Sequence, residues 1–307
     1  MIQAIRPERL LRELDQLWVS LDQKGGVLRA CTMTLIVASE ESPGAAGSSE
    51  IIARLMRQHP SRAIAIRVPS DAADELDARV LAQCWMPFGN RQQICCEQID
   101  IGASRARLAD VATLLPALVA PDLPVVLWCR SPALLTAPGF PALAGRAGKL
   151  IVDSTAFASS CQAFECLRAC AAGRAAVADL AWTRLTRWRQ SLAWAFEGPD
   201  GAERLKSVTE FIICCKEPAP PAPAYYMAGW LRAALAPEAA ARVRIEVASQ
   251  DMVRVRAPQG DLSIPPPAVP EECDLLREEL SIPGRDPVYQ RSLEEACRLA
   301  RPPGGEP

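Results

Sequence analysis

The feature that most constrains this chain is a repeated change of hydrophobic period. Short apolar runs rich in β-branched residues alternate with longer stretches whose apolar positions recur at helical spacing. Cys31–Val37, Ala63–Val68, Ile94–Ile101, Val125–Cys129 and Leu150–Val152 read as strands. Pro7–Leu21 reads as a helix, because Leu10, Leu11, Leu14, Leu17, Trp18 and Leu21 share helical spacing. Ser49–Gln58, Asp71–Cys84 (capped by Ser70 or Asp71) and Ser104–Val119 read as further helices. The Gly-, Ala- and Ser-rich stretch Ser42–Ser49 reads as a loop. Strands alternating with helices predict α/β architecture: an N-terminal layered α/β domain with a largely parallel sheet, residues 1–175.

The pattern changes after Val177. A Trp- and Arg-rich segment, Asp179–Glu197, leads to a strand at Ser207–Cys215 and a proline-rich loop, Glu217–Pro223. A helix follows at Ala224–Ala236, then strands at Arg242–Ala248 and Met252–Ala257, with Gln250-Asp251 as a hairpin turn between them. Pro265–Pro270 is a second proline-rich connector, and Glu271–Leu280 and Asp286–Ala300 read as helices. This predicts a smaller C-terminal α+β domain, residues 176–300, with a small antiparallel sheet, and a loose tail, 301–307. A chain of 307 residues is long enough for two such cores.

Composition narrows the function classes. Net charge is −2 and no basic stripe is concentrated anywhere, so nucleic acid is not an expected partner. No apolar run approaches the roughly 20 residues a spanning helix needs. Met1–Leu21 is charged and amphipathic without the layout of a signal peptide, so the expected address is cytoplasmic and no membrane partner is expected. The 12 cysteines include no CxxC pair. On a helix Cys161 stands about 140° from Cys166, which disfavours a three-cysteine metal site with Cys170. Most of the thiols are expected to be small, buried, reduced packing residues, with no obligatory disulfide. The alternative is a redox sensor using Cys95, Cys96, Cys129, Cys214 or Cys215.

Neither a P-loop nor a G-x-G-x-x-G turn is present, and His59 is the one histidine. No catalytic, cofactor or metal residue is therefore assigned. His59, Arg62, Arg130 and Asp153 are candidates for an anion site or a turn; Asp153 follows an apolar strand, where α/β folds bind ligands or where a carboxylate caps the next turn. They also carry the enzymatic alternative, a sugar-phosphate- or nucleotide-binding α/β enzyme.

Several segments carry a family resemblance. They include Asp179-Leu-Ala-Trp-Thr-Arg-Leu-Thr-Arg-Trp-Arg189, His59-Pro-Ser-Arg-Ala-Ile-Ala-Ile66 and Cys96-Glu-Gln-Ile-Asp-Ile101. Asp122-Leu-Pro-Val-Val-Leu-Trp128, Ile151-Val-Asp-Ser154, Ala228-Gly-Trp-Leu231 and Gly284-Arg-Asp-Pro-Val-Tyr289 follow in order. Together they resemble the OpcA family of glucose-6-phosphate dehydrogenase assembly proteins. The chain departs from that pattern at Cys129, where the family usually has a second Trp, and at Arg187, where it often has Pro. The resemblance implies a non-catalytic assembly factor and allosteric activator that binds glucose-6-phosphate dehydrogenase in the oxidative pentose phosphate pathway, with links to redox control. Trp182, Arg184, Trp188 and Arg189 are of the residue types enriched at binding hot spots. They are candidates either for the partner surface or for the seam between the two domains.

Overall fold

A run of parallel strands needs crossover connections, and the apolar runs of the first half are spaced to allow them. The computed structural model describes residues 5–23, 26–41, 48–69, 76–87, 92–235 and 241–301. Most of the Ser42–Ser49 loop, the cap at Ser70 or Asp71, the end of the helix expected at Ala236 and the tail after Arg301 lie outside them. The chain divides into two compact units, one of Met1–Val152 with Gly173–Val177, the other of Asp153–Ala172 with Ala178–Pro307.

The first unit is built on strands β1 (Val27–Arg29), β2 (Met33–Glu41), β3 (Ser61–Pro69), β4 (Leu76–Trp85), β5 (Gln93–Ala103), β6 (Val125–Cys129), β7 (Lys149–Val152) and β8 (Ala176–Asp179), the chain passing to the second unit within β8. Its helices are α1 (Pro7–Asp22), α2 (Ser48–Met56), α3 (Leu108–Leu118), α4 (Pro132–Leu135) and α5 (Phe140–Ala144). These eight strands form one mostly parallel sheet whose main path runs β5-β3-β2-β6-β7-β8. Counted outward from β2 that path is 3-2-1-4-5-6, the order of a doubly wound α/β fold. β1 lies parallel against the first residues of β5, and β4 runs antiparallel along it. β2 pairs residue by residue with β3, Met33 opposite Ser61 through Glu41 opposite Pro69. Ile36–Ala38 and Ala63–Ile66 are 0% exposed, which is why these strands read as continuous apolar runs rather than alternating ones.

The sequence expectation fails at Asp71–Cys84. Its described part, from Leu76, is a strand, and Leu76–Trp85 pairs with Ile94–Ala103 of β5. The segment is rich in helix formers, but the long antiparallel partnership overrides local propensity. That register sets Cys84 opposite Cys95, and the two form a disulfide. The cysteine spacing gave no reason to expect a disulfide, and this pairing corrects that expectation.

The second unit contains α6 (Ser160–Ala171), α7 (Leu180–Thr183), α8 (Thr186–Trp194), α9 (Gly201–Ser207), α10 (Ala222–Ala234), α11 (Glu272–Leu280) and α12 (Pro287–Ala300). Its sheet has strands β9 (Glu210–Cys215), β10 (Arg242–Val247), β11 (Met252–Arg256) and β12 (Leu262–Ile264), ordered β10-β9-β11-β12. The expected β10–β11 hairpin does not form, because β9 lies between them. β10 is parallel to β9, reached by the α10 crossover, and β11 is antiparallel to it. The sheet is therefore mixed rather than antiparallel. α10 and α12 approach closely at Gly229, where a Cβ would stand 2.6 Å from the Ser292 carbonyl oxygen. The Ala228-Gly-Trp-Leu231 segment therefore carries a glycine for packing. Among the described residues no helix is long and apolar enough to cross a membrane.

Candidate functional site

The Trp- and Arg-rich segment forms the spine of the second unit. β8 ends at Asp179, whose carboxylate caps α7 by accepting from Ala181 N at 2.9 Å. The same oxygen accepts from Ser154 N at 2.9 Å, and the other accepts from the Tyr226 hydroxyl at 2.8 Å. Burial raises the Asp179 carboxyl to about 6, against the opposing hydrogen bonds from Ser154 and Ala181; the nearby Asp153 charge adds to the rise. A break at Arg184-Leu185 separates α7 from α8 even though Arg187 replaces the family's frequent Pro.

Asp153 sits after β7 and caps the next turn, accepting from Thr155 N at 3.0 Å. Arg184 grips it with two nitrogens, at 2.9 and 2.5 Å. Burial acts to raise the Asp153 carboxyl, but the Arg184 hydrogen bonds and charge outweigh it and hold it below its ordinary range. Arg189 lies on the Trp182 ring with its guanidinium carbon 3.3 Å from the centroid, and it donates to Thr186 Oγ1 at 3.2 Å. Burial pushes the Arg189 guanidinium down to about 10, while Asp286, Glu278 and Glu279 draw it back up.

Trp182 is itself held by partners distant in sequence. Its indole donates to Asp286 Oδ2 at 3.2 Å, and its ring packs against Tyr226 and Tyr289 with centroids 6.0 Å away. Asp286 caps α12 by accepting from Val288 N and Tyr289 N. The Gly284–Tyr289 and Asp179–Arg189 segments that shape the resemblance are thus two halves of one packing unit. Trp188 is buried and donates to the Ile264 carbonyl at 3.2 Å. Arg184 and Arg189 are held by Asp153 and Trp182, rather than extended from the surface as free cations.

Beside Arg184 and Trp188 the second unit opens a cavity of about 260 Å³. Leu185, the end of β9 from Ile213 to Cys215 and the connector Pro266–Pro270 contribute to its mainly apolar wall, with Lys216, Glu217 and Asp251 also lining it. The sequence offered Arg184 and Trp188 by residue type. It offered the connector only as a proline-rich link, because its role depends on chain that returns from far away.

The anion-site candidates do not gather in one place. Arg62, His59 and Arg130 belong to the first unit and Asp153 to the second. Arg62 is buried against Glu97 and donates to the Leu118 carbonyl at 2.9 Å. Glu97 also engages Trp18 and Arg29. The His59 backbone N donates to Leu55 O at the end of α2, at 2.8 Å. Arg130 stacks over Trp128 at 5.0 Å. At the carboxyl ends of β2 and β6, the switch point of this strand order, Glu40 engages Arg105 and Ser131.

A doubly wound unit followed by an α+β unit is the class this architecture defines. Family models describing the N-terminal and C-terminal domains of a glucose-6-phosphate dehydrogenase subunit match residues 52–169 and 175–293. The chain belongs to this family, the OpcA family of glucose-6-phosphate dehydrogenase assembly proteins. A protein named for the OxPP cycle, OpcA of Nostoc punctiforme, is 30% identical over 191 residues, 62% of this chain and 41% of that one. Its namesake in Synechococcus elongatus is 27% identical over 181 residues, 58% of this chain and 40% of that one. The match thus spans about two fifths of the length of these relatives. Among solved structures, the WlbA dehydrogenase of Thermus thermophilus overlays with a TM-score of 0.46 at 10% identity, over 90% of this chain and 97% of that one. A myo-inositol dehydrogenase of Corynebacterium glutamicum does so with 0.40 at 12%, over 88% and 96%.

Proposed function

We propose that this chain is a non-catalytic cytoplasmic partner of glucose-6-phosphate dehydrogenase that favours the active assembly or conformation of that enzyme in the oxidative pentose phosphate pathway. The observation that carries this is the family match in both halves, each half described as a domain of a glucose-6-phosphate dehydrogenase subunit. The geometry supports it in a second way. Arg189 lies on Trp182, Asp153 holds Arg184 and the Ile264 carbonyl holds Trp188, and the Arg184–Trp188 stretch so fixed lines the 260 Å³ cavity. To activate, the chain must bind one state of the dehydrogenase more tightly than another, and about 1.4 kcal/mol of difference shifts the balance tenfold. Co-purification with the dehydrogenase of the same organism, with activity measured as the chain is added, tests the proposal. Activation in a defined complex is expected; absence of both complex and activation rejects it.

One observation favours thiol control as a companion reading. Cys95 is enclosed and Cys84 is exposed, so their disulfide can be reached by a reductant from the Cys84 side.

A further inference from the structure

The sheet of the second unit has two unlike faces. Paired residues across a ladder point to the same side, so the register assigns each residue to a face. One face carries Phe211, Ile213, Val253 and Val255, all no more than 3% exposed. On the other, Arg242 and Arg256 flank Glu210, and Arg244 and Arg254 flank Ile212. Four arginines thus stand in two rows on one side of a three-strand span.

Their environment is open. The side chains of Arg244 and Arg256 are 42% and 43% exposed, yet Ile212 beneath them is 0% exposed. Arginine stems lying along the sheet explain both values. Glu210 is shared, accepting from Arg244 Nε at 2.6 Å through one oxygen and from Arg256 at 3.0 Å through the other. Arg244 also donates to Glu246 at 2.6 Å. Both glutamates of the face are therefore engaged within the sheet. Arg242 and Arg254 form no ion pair with a carboxylate among the described residues.

We infer that this arginine face docks a carboxylate-rich patch on another protein. Resting on the proposal above, that protein is the glucose-6-phosphate dehydrogenase. Guanidinium groups along one face of a sheet present planar forks suited to carboxylates, and arginine is enriched at interface hot spots. A second copy of this chain is the poorer occupant, since it brings arginines over arginines and its Glu210 and Glu246 are already engaged. Nucleic acid is poorer too, because those two carboxylates stand within the face and the whole chain carries a net charge of −2.

The test uses the full chain with both free arginines reversed, Arg242→Glu with Arg254→Glu, and measures affinity for the dehydrogenase at about 0.05 and about 0.5 M salt, where screening differs severalfold. The double variant should bind at least about tenfold more weakly at low salt and lose most of the salt dependence of the natural chain, with an unchanged melting temperature. Arg242→Gln with Arg254→Gln, gentler on the fold, should shift affinity in the same direction by less. Arg57→Glu, exposed on the first unit, should leave it unaltered. Equal affinity of the natural and variant chains overturns the surface while leaving the partner standing. If the natural chain forms no complex, the partner proposal fails and the surface falls with it. A dimer of the natural chain abolished by the double variant, or retention of a short RNA by this face, replaces the inferred occupant and overturns it as well.

Discussion

Two neighbouring carboxylates, Asp153 and Asp179, sit in the same unit and respond to pH with opposite sign. Asp179 is 0% exposed, and burial sets its carboxyl at about 6 against an ordinary 3.8. A carboxyl raised in the folded state takes up its proton there first, so its contribution is most favourable below the unfolded value and is lost as pH rises through about 4 to 6. Asp179→Asn removes that dependence. Denaturation curves from pH 4.5 to 7 should show the natural chain losing on the order of 2 kcal/mol relative to the variant as pH rises; parallel curves contradict the assignment. Asp153 is depressed, so its pairing with Arg184 stabilises above the ordinary carboxylate range and fades as pH falls through the lowered value. Arg184→Ala leaves a half-buried carboxylate without its cation and should cost about 2 kcal/mol near neutral pH, the cost shrinking in acid. Thermal melts at pH 7 and at about pH 2.5, well below the ordinary carboxylate value of 3.8, check this, and an equal loss at both contradicts it.

At the scale of elements, local signals worked where the element is decided locally. α1 shows helical spacing from Leu10 to Leu21, and α12 begins with an Asp286 cap followed by Pro287 at its first position. The break between α7 and α8 is not signalled locally, since Arg187 stands where the family often has Pro. β4 was misread for the same kind of reason: its ten residues look helical until β5 is laid beside them. The disulfide between those strands closes a short loop, with a sequence separation of 11. Loop-closure entropy gives it roughly 2–3 kcal/mol of stabilisation. Reduction, or Cys84→Ser with Cys95→Ser, should therefore lower the melting temperature by several degrees without unfolding the sheet. Alkylation and mass measurement of the native chain should find Cys84 and Cys95 protected until reductant is added. Immediate labelling of both would remove the bridge.

Over the whole molecule, strand–helix alternation made the α/β class legible, since β2, β3 and β6 each carry a continuous apolar run. The face assignments of the second unit were not legible, because the parallel placement of β10 beside β9 depends on the α10 crossover. The cavity was half legible. Arg184 and Trp188 announced themselves by residue type, whereas Pro266–Pro270 joins them only after a long return of the chain. The proposed partner was suggested by the family resemblance alone, and the match of both halves now gives that resemblance its extent. The most direct test of the central proposal is the rate of glucose-6-phosphate oxidation by the purified dehydrogenase as this chain is titrated in. Saturable activation at a fixed ratio of the two proteins is predicted, with no turnover by the chain alone. Unchanged dehydrogenase kinetics across the titration, or substrate turnover by this chain that Asp153→Asn abolishes, contradicts it.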